Sequence, residues 1–291
     1  MPDTDYLRSR YDPKAVLVLG TDDVASAVGH ALAVAGIRTL LVRDLGLPVL
    51  RRGMSFDDAV EQGFAELDGV TAYAADTAMV LGSVTSLRVT AQHHAALIDP
   101  AVIEGVIDAR MRHDPKQDLR GPLAFAIGIG PGFIAGDNVD LAIESAPEAT
   151  GRIVRNSETI PPHGKAAPLA GAGRERFARA PRPGLWGSHR LIGEAIDAGA
   201  VVGLCAGTQI RAPLGGRLLG LIRPGSEAEA GMRLAEVDPR IRAQCNGISR
   251  RAAVIARATL QALRQLCDPS LFGKEQRPRK AAQQEAGAWH R

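Results

Sequence analysis

The sequence is poor in cysteine and in excess charge of either sign. Its three cysteines, Cys205, Cys245 and Cys267, form no Cys-x-x-Cys pair, so neither a disulfide framework nor a zinc site is indicated. The 35 basic and 32 acidic residues leave a formal net charge of only +3. This balance argues against a protein that binds nucleic acid by neutralising phosphates, and we expect no nucleic-acid partner.

Long apolar runs are missing as well. No stretch approaches the roughly 20 apolar residues of a membrane helix, and the acidic N-terminus lacks the layout of a signal peptide. Hydrophobic residues still make up 45% of the 291 positions, enough to bury a large core. We therefore expect a globular, cytoplasmic protein that does not contact a membrane.

The first half of the chain alternates between apolar runs and helical patterns. An apolar run, 15–19, is followed by a turn at Gly20, a helical pattern over 24–35 and a second apolar run, 38–42. Further strands are predicted at 70–74, 95–98, 105–109 and 123–129. This alternation predicts an α/β fold with a Rossmann-like, mostly parallel sheet.

An internal repeat with an offset of 32 residues follows. The segment Arg179-Ala180-Pro181 recurs as Arg211-Ala212-Pro213, and glycines recur at the same offset. Two copies that are each too small to bury their own face are expected to intertwine into one β module. The pattern resembles the duplicated barrel-sandwich of lipoyl and biotinyl domains. Those domains carry a modified lysine between the halves, and no lysine lies between Lys165 and Lys274, which excludes a swinging-arm carrier.

The predicted organisation has six parts. They are a flexible arm (1–13), the Rossmann-like domain (14–145), a linker or crossover (146–175), the duplicated β module (176–240), a C-terminal helix (241–267) and a disordered tail (268–291).

The turn after the first strand is the first candidate ligand site. A dinucleotide-binding turn has glycine at three positions, where this chain has Gly20, Asp22 and Ala25. A carboxylate at the second position would repel pyrophosphate, although Asp44 stands where a ribose-binding acid would. NAD(P) binding is therefore the less favoured interpretation. Asp22 or Asp23 is instead predicted to cap the helix by accepting a backbone hydrogen bond, as a built-in anion.

Two further segments are candidates for anion binding. Gly130, Gly132, Phe133 and Gly136 belong to a glycine-rich turn whose backbone N–H groups could cradle an anion; a purely structural turn explains them equally well. Arg51 and Arg52 could clamp a phosphate or carboxylate; the alternative is a solvated basic loop. No catalytic residue and no metal ligand can be assigned.

The order of these motifs resembles the YqeB-type accessory family of selenium-dependent molybdenum hydroxylases, over residues 14–265. The likeness is carried by the Pro-x-x-Arg-Arg block at 48–52, by Gly-Pro-Gly-Phe-x-Ala-Gly at 130–136 and by Asp-Pro-Arg at 238–240. It implies a cytoplasmic maturation factor for molybdenum hydroxylases of the xanthine-dehydrogenase type, with a hydroxylase subunit as its partner. The chain departs from the family at several polar positions, such as Asp140 in place of a histidine.

Three functions remain open from the sequence. The preferred one is a molybdenum hydroxylase accessory protein that binds a small anionic ligand, either a nucleotide or a molybdopterin-type molecule. An NAD(P)-dependent oxidoreductase and a ligand-free scaffold are the alternatives. The sequence leaves open whether the protein is an enzyme and whether it forms an oligomer. The predicted ligand-binding residues are Gly20, Asp23, Asp44, Arg51, Arg52, Gly130, Gly132, Phe133 and Gly136.

Overall fold

The structure is a computed structural model that describes residues 14–75, 87–112, 117–162, 164 and 168–267. The predicted arm at 1–13 and the predicted tail at 268–291 lie outside the described residues.

A nine-stranded mixed sheet holds the first half of the chain. In spatial order its strands are β3 (Phe64–Leu67), β4 (Val70–Ala74), β5 (Leu87–Thr90), β2 (Thr39–Val42), β1 (Ala15–Leu19), β6 (Ile103–Asp108), β7 (Phe125–Ile129), β8 (Leu141–Ile143) and β9 (Ile153–Val154). The strands from β4 to β8 run parallel, whereas β3 and β9 are antiparallel edges. All five residues of β1 are buried, as expected for a central strand that is covered on both faces.

The described residues form three α-helices, which are α1 (Asp23–Val34), α2 (Ala59–Gln62) and α3 (Arg250–Leu266). Helices α1 and α3 pack together on one face of the sheet, where Val28, Leu32, Ile255 and Leu263 share a core with alternate residues of the strands. Ser249 caps α3 by accepting a hydrogen bond from the Ala252 N–H at 3.2 Å. Short 3-10 turns occur at Arg52–Met54, His94–Leu97, Pro147–Ala149 and Arg174–Arg176.

The repeat forms two four-stranded antiparallel sheets. Their strands are β10 (Phe177–Arg179), β11 (Gly184–Gly187), β12 (Ala195–Ile196), β13 (Val201–Cys205), β14 (Thr208–Arg211), β15 (Gly216–Leu221), β16 (Glu227–Ala228) and β17 (Arg233–Asp238). The spatial orders are β10-β17-β15-β12 and β14-β13-β11-β16. Strands of the first copy pair with strands of the second as β10–β17, β11–β16 and β12–β15, which confirms the predicted exchange between copies.

The two Arg-Ala-Pro segments occupy equivalent positions. The carbonyl of Ala180 accepts from the Gly231 N–H, and that of Ala212 accepts from the Gly199 N–H, both at 2.8 Å. Each segment thus binds the Ala-Gly turn of the other copy. This reciprocity is the physical reason why neither copy is complete alone.

Two parts of the predicted fold class were wrong. The sheet is large and mixed instead of Rossmann-like, and no α-helix covers the crossovers from β6 to β8 among their described residues; α3 arrives from the far end of the sequence instead. The described strands of the repeat form two antiparallel sheets, in which no lipoyl-like barrel-sandwich is shown. Apolar periodicity does not reveal the direction of the edge strands. It also does not reveal how the strands of the two copies are arranged into sheets. The strand predicted at 95–98 was also wrong, because His94–Leu97 is a 3-10 turn.

Candidate functional site

The turn after β1 already contains its own hydrogen-bond acceptor. Asp22 Oδ1 accepts hydrogen bonds from the N–H groups of Val24 at 3.0 Å and Ala25 at 2.9 Å, which confirms the predicted cap. Burial and the neighbouring charge of Asp23 raise the pKa of Asp22 to about 7. The donors at the start of α1 are therefore occupied by the protein itself.

Gly20 is required where it stands. Its φ is +113°, and a Cβ there would lie 3.1 Å from the Ala25 Cβ and 3.3 Å from the Ala109 carbonyl. The glycine thus serves the close packing of the turn against the end of β6. Next to it, the Thr21 hydroxyl donates to Asp57 Oδ1 at 2.7 Å and joins the turn to the residues before α2.

Arg51 joins the nine-stranded sheet to the β module. Its Nε and Nη2 donate to the two oxygens of Glu236, each at 2.8 Å, while Nη1 donates to Asp23 at 2.9 Å. Arg176 adds a bond from its Nε to Glu236 at 2.7 Å. Burial raises the pKa of Glu236, but the hydrogen bonds and charges of Arg51 and Arg176 outweigh it and hold that pKa below its ordinary value.

Arg52 also has protein partners. Its Nε donates to the Leu221 carbonyl at 3.0 Å, and Nη1 lies 3.3 Å from Asp58 Oδ2. Arg223 pairs with the same Asp58 carboxylate. The two adjacent arginines therefore do not face one ligand together: Arg51 reaches Asp23 and Glu236, and Arg52 reaches Asp58 and β15.

A pocket of about 250 Å³ opens at the carboxyl ends of four parallel strands, β1, β2, β5 and β6. This is the edge of an open α/β sheet where ligands bind. Its lining residues are Leu19, Val42, Arg43, Asp44, Leu45, Gly46, Gln92, His93, Arg110 and Arg112. Three arginines and a single acidic residue are thus among the residues that line this small volume.

The charges of this pocket are held in place by ion pairs. Arg112 binds Asp44 through both nitrogens of its fork, and Arg110 binds Asp108 at 2.6 Å. Arg43 donates to Asp57 at 2.7 Å and to Glu61 at 2.7 Å. Each arginine that lines the pocket is therefore ion-paired to a carboxylate, and of these carboxylates only Asp44 lines the pocket itself.

Asp44 is the acid of this pocket. Burial raises its pKa, but the hydrogen bond and charge of Arg112 and the Gly46 N–H outweigh burial and lower it. Asp44 is therefore ionised at neutral pH. Because Arg112 and Gly46 already use three of its acceptor positions, a ligand hydroxyl would compete with Arg112.

The glycine-rich turn after β7 is held by structural bonds. The Gly132 carbonyl accepts from Asn138 at 3.2 Å, and the Gly136 carbonyl accepts from Arg120 at 2.7 Å. The Phe133 ring is 1% exposed and lies over Gly128, where a Cβ would stand 2.2 Å from the ring. Gly130 lies at the same sheet edge as the pocket, against Met111.

The predicted site residues thus fall into separate groups. Asp23 and Arg51 are in contact, while Asp44 lines the pocket. Five residues of the pocket lining were not predicted from the sequence: Arg43, Gln92, His93, Arg110 and Arg112. A signal was present for two of them, because Arg43 directly follows β2 and Arg110 comes two residues after β6.

Within the part of the chain that the structure describes, no group of three or more His, Cys, Asp or Glu side chains could hold a metal ion. Nor is any described helix long and apolar enough to cross a membrane.

Comparison with known proteins gives one curated relative to report and no matching family model. The uncharacterized protein YqeB of Escherichia coli K12 is 29% identical over 259 residues, which are 86% of this chain and 47% of the relative. The chain thus spans about half the length of the curated relative that it matches. The relative's name states no activity, so the likeness carries no function by itself.

Solved structures with a distant likeness come from another class of protein. An aspartoacylase family protein of Mesorhizobium loti is 11% identical, covers 80% of this chain and 87% of its own, and has a TM-score of 0.26. A succinylglutamate desuccinylase/aspartoacylase of Rhodobacter sphaeroides is 12% identical, with shares of 78% and 86% and a TM-score of 0.25. The ectoine utilization protein EutE (DoeB) of Ruegeria pomeroyi is 12% identical, with shares of 79% and 87% and a TM-score of 0.26.

By their descriptions, these neighbours do not match the expectation from the sequence. They are described as aspartoacylase- and desuccinylase-type proteins or as an ectoine utilization protein, not as Rossmann-like, NAD(P)-binding or molybdenum hydroxylase maturation proteins. Their TM-scores are too low to carry an argument about the activity of this chain.

Proposed function

We propose that the pocket beyond β1, β2, β5 and β6 binds a small anionic ligand, either a nucleotide or a molybdopterin-type molecule. The observation that carries the proposal is that Arg43, Arg110 and Arg112 all line a volume of about 250 Å³ whose lining includes one acidic residue, Asp44. Guanidinium groups bind phosphate through two parallel hydrogen bonds. A phosphate placed here would share Arg110 or Arg112 with the carboxylate that now orients it.

The size of the pocket favours a compact ligand. Sites for drug-sized molecules occupy roughly 300 to 1,000 Å³, so about 250 Å³ suits a phosphorylated sugar or a mononucleotide fragment better than a whole dinucleotide. Asp22 also occupies the donors at the start of α1 that a pyrophosphate would use. Both features favour a mononucleotide or pterin-type ligand over NAD(P).

The biological role proposed for this ligand site is that of an accessory protein in the maturation of a molybdenum hydroxylase. Its support is the ordered set of motifs at 48–52, 130–136 and 238–240 and the likeness to YqeB over 86% of the chain. The partner would be a hydroxylase subunit. The ligand site and the partner are separate claims, since the pocket geometry supports only the first.

Two arginines with the same local geometry allow a matched test of the ligand site. Arg110 and Arg120 each bind an aspartate two residues earlier through the side chain and the backbone N–H, but only Arg110 lines the pocket. Binding of AMP, GMP, inorganic phosphate and extracted molybdopterin would be measured by calorimetry and by thermal shift. Arg110→Gln should weaken binding by about tenfold or more, because a hydrogen bond to a charged group contributes roughly 1.5 to 3 kcal/mol. Arg120→Gln should bind as the wild type does.

The ligand proposal fails if none of these ligands binds the folded protein, or if the two variants bind equally well. The accessory role has its own test, which is co-purification of a hydroxylase subunit with the tagged protein in its native host. If the protein binds a ligand but no hydroxylase subunit co-purifies, the proposed partner is refuted and the proposed ligand site is retained.

A further inference from the structure

Strand β3 is an open edge of the nine-stranded sheet. It pairs with β4 through a two-residue turn, Asp68-Gly69, so that Leu67 and Val70 face each other as a hydrogen-bonded pair. The Ala74 N–H also bonds the Gly63 carbonyl at 2.8 Å. Since hydrogen-bonded and non-bonded pairs alternate, the backbone N–H and C=O groups of Phe64 and Glu66 point away from β4. Among the described strands none lies on that side.

A groove of about 380 Å³ runs along this edge. It is lined by strand β3 and, from other segments, by residues that include Arg52, Asp58, Asn246 and Gly247. A Cβ at Gly247 would lie 2.5 Å from Asp68 Oδ1, and the Ile248 N–H donates to Asp68 Oδ2 at 2.9 Å, so this segment closes the groove at the Asp68 end. The outward backbone groups of β3 therefore border a groove that is closed at its Asp68 end.

The charge and register of the groove specify its occupant. Glu66 and Asp68 are exposed, whereas the Asp58 carboxylate is already paired with Arg52 and Arg223. Phe64 is 56% exposed and lies on the same face of the strand as Glu66, because side chains two residues apart share a face. A strand added to this edge would place one side chain beside Glu66 and another, two residues away, beside Phe64.

We infer that this groove is a docking site for an extended segment of a partner protein that adds a strand to β3, with a basic residue opposite Glu66 and an apolar residue two positions away, opposite Phe64. Main-chain hydrogen bonds supply the affinity in such β-augmentation, and alternate side chains supply the specificity. A second copy of this chain fits less well, because it would bring its own Glu66 and Asp68 to the same edge and place like charges together. The inference does not depend on the proposed ligand pocket.

A pair of synthetic peptides tests the inference with the full-length protein. The first peptide is acetyl-Thr-Val-Lys-Thr-Phe-Thr-amide, and the second carries glutamate in place of lysine. The wild type should bind the lysine peptide saturably, with a Kd below about 1 mM, and the glutamate peptide at least tenfold more weakly. Glu66→Lys should reverse this preference, which is a result that a general loss of structure cannot produce.

Three controls complete the design. Glu227→Lys changes an exposed glutamate on another edge strand, β16, and should bind like the wild type. Glu66→Pro removes one outward N–H together with the Glu66 carboxylate, without touching the pairing with β4, and should weaken binding of the lysine peptide at least tenfold at an unchanged melting temperature. Methylation of the lysine backbone nitrogen in the peptide should do the same.

The inference is overturned if the lysine peptide does not bind, or if Glu66→Lys retains the preference of the wild type. It is also overturned if the wild type is a dimer in solution that Glu66→Lys dissociates, because a second copy would then occupy the edge.

Discussion

Replacing Glu236 with glutamine tests whether one buried carboxylate fastens the β module to the nine-stranded sheet. Glu236 is 1% exposed and accepts three hydrogen bonds, two from Arg51 and one from Arg176, at 2.7 to 2.8 Å. Each hydrogen bond to a charged group contributes roughly 1.5 to 3 kcal/mol. Glutamine keeps one acceptor oxygen but loses the charge.

The expected loss of unfolding free energy arises mainly because the substitution leaves a buried arginine without its carboxylate. Arg176 is 3% exposed and would lose its paired carboxylate, whereas Arg51 would keep Asp23. Breaking a buried pair by removing one partner costs about 3 to 5 kcal/mol, and the retained bond to Asp23 places the expected loss near the lower end. Urea unfolding at pH 7 would measure it. Glu194→Gln, which breaks the surface pair with Arg190, is the matched control and should cost less than about 1 kcal/mol.

Two spectroscopic signals report separately on the unfolding of the two halves of the molecule. The long helices α1 and α3 pack on the nine-stranded sheet and dominate the far-ultraviolet circular dichroism. Trp186 lies in the core of the β module, so its fluorescence reports on that module. In a Trp289→Phe background, the two transitions should coincide for the wild type and separate for Glu236→Gln. Because the pKa of Glu236 is held below 4.5, its stabilisation is complete above that pH and is lost as the pH falls through the lower folded value. Coincident transitions with a cost no larger than that of Glu194→Gln would refute the assignment of Glu236 as the fastener.

Two further substitutions test the turn after β1 and the glycine-rich turn. The pKa of Asp22 is raised to about 7 from 3.8, so the wild type should lose stability as the pH rises through 7. The Asp22→Asn variant keeps the cap, and its melting temperature should vary less with pH between about pH 5 and 8. Equal pH profiles of the two proteins would contradict the raised pKa. Gly128→Ala puts a Cβ 2.2 Å from the Phe133 ring and should lower the free energy of unfolding in urea by roughly 1 to 3 kcal/mol. Gly187→Ala, where a Cβ would meet nothing within 4 Å, should lower it by less. A larger loss of stability in Gly187→Ala would contradict the packing of Phe133 on Gly128.

Local sequence determined several features of this protein. The cap at Asp22 follows from an aspartate placed directly before a helical pattern, since the bond to Ala25 spans three residues. The exchange of strands between the copies follows from the 32-residue repeat, because equivalent segments such as those around Ala180 and Ala212 must have equivalent partners. Both inferences needed only neighbouring residues or internal symmetry.

The candidate site could be predicted only in part. Asp44 was placed at a strand end and does line the pocket, but Arg112, which binds it, is 68 residues away. Arg51 and Arg52 were interpreted as ligand contacts because a pair of arginines in a loop shows no partner in the local sequence. The carboxylate that holds Arg51 lies 185 residues further on, in β17.

The sequence by itself determined where several of the strands, the first helix, its cap and the repeat lie, because hydrophobic periodicity and capping act over a few residues. Only the tertiary structure decided which charges are paired, which face of the sheet α3 covers and which edges of the sheet run antiparallel. Glu236 illustrates the physical reason: its pairing with Arg51 and Arg176 depends on the packing of three segments that are distant in sequence. Only the packed structure determines whether a charged side chain pairs with another residue or can bind a ligand.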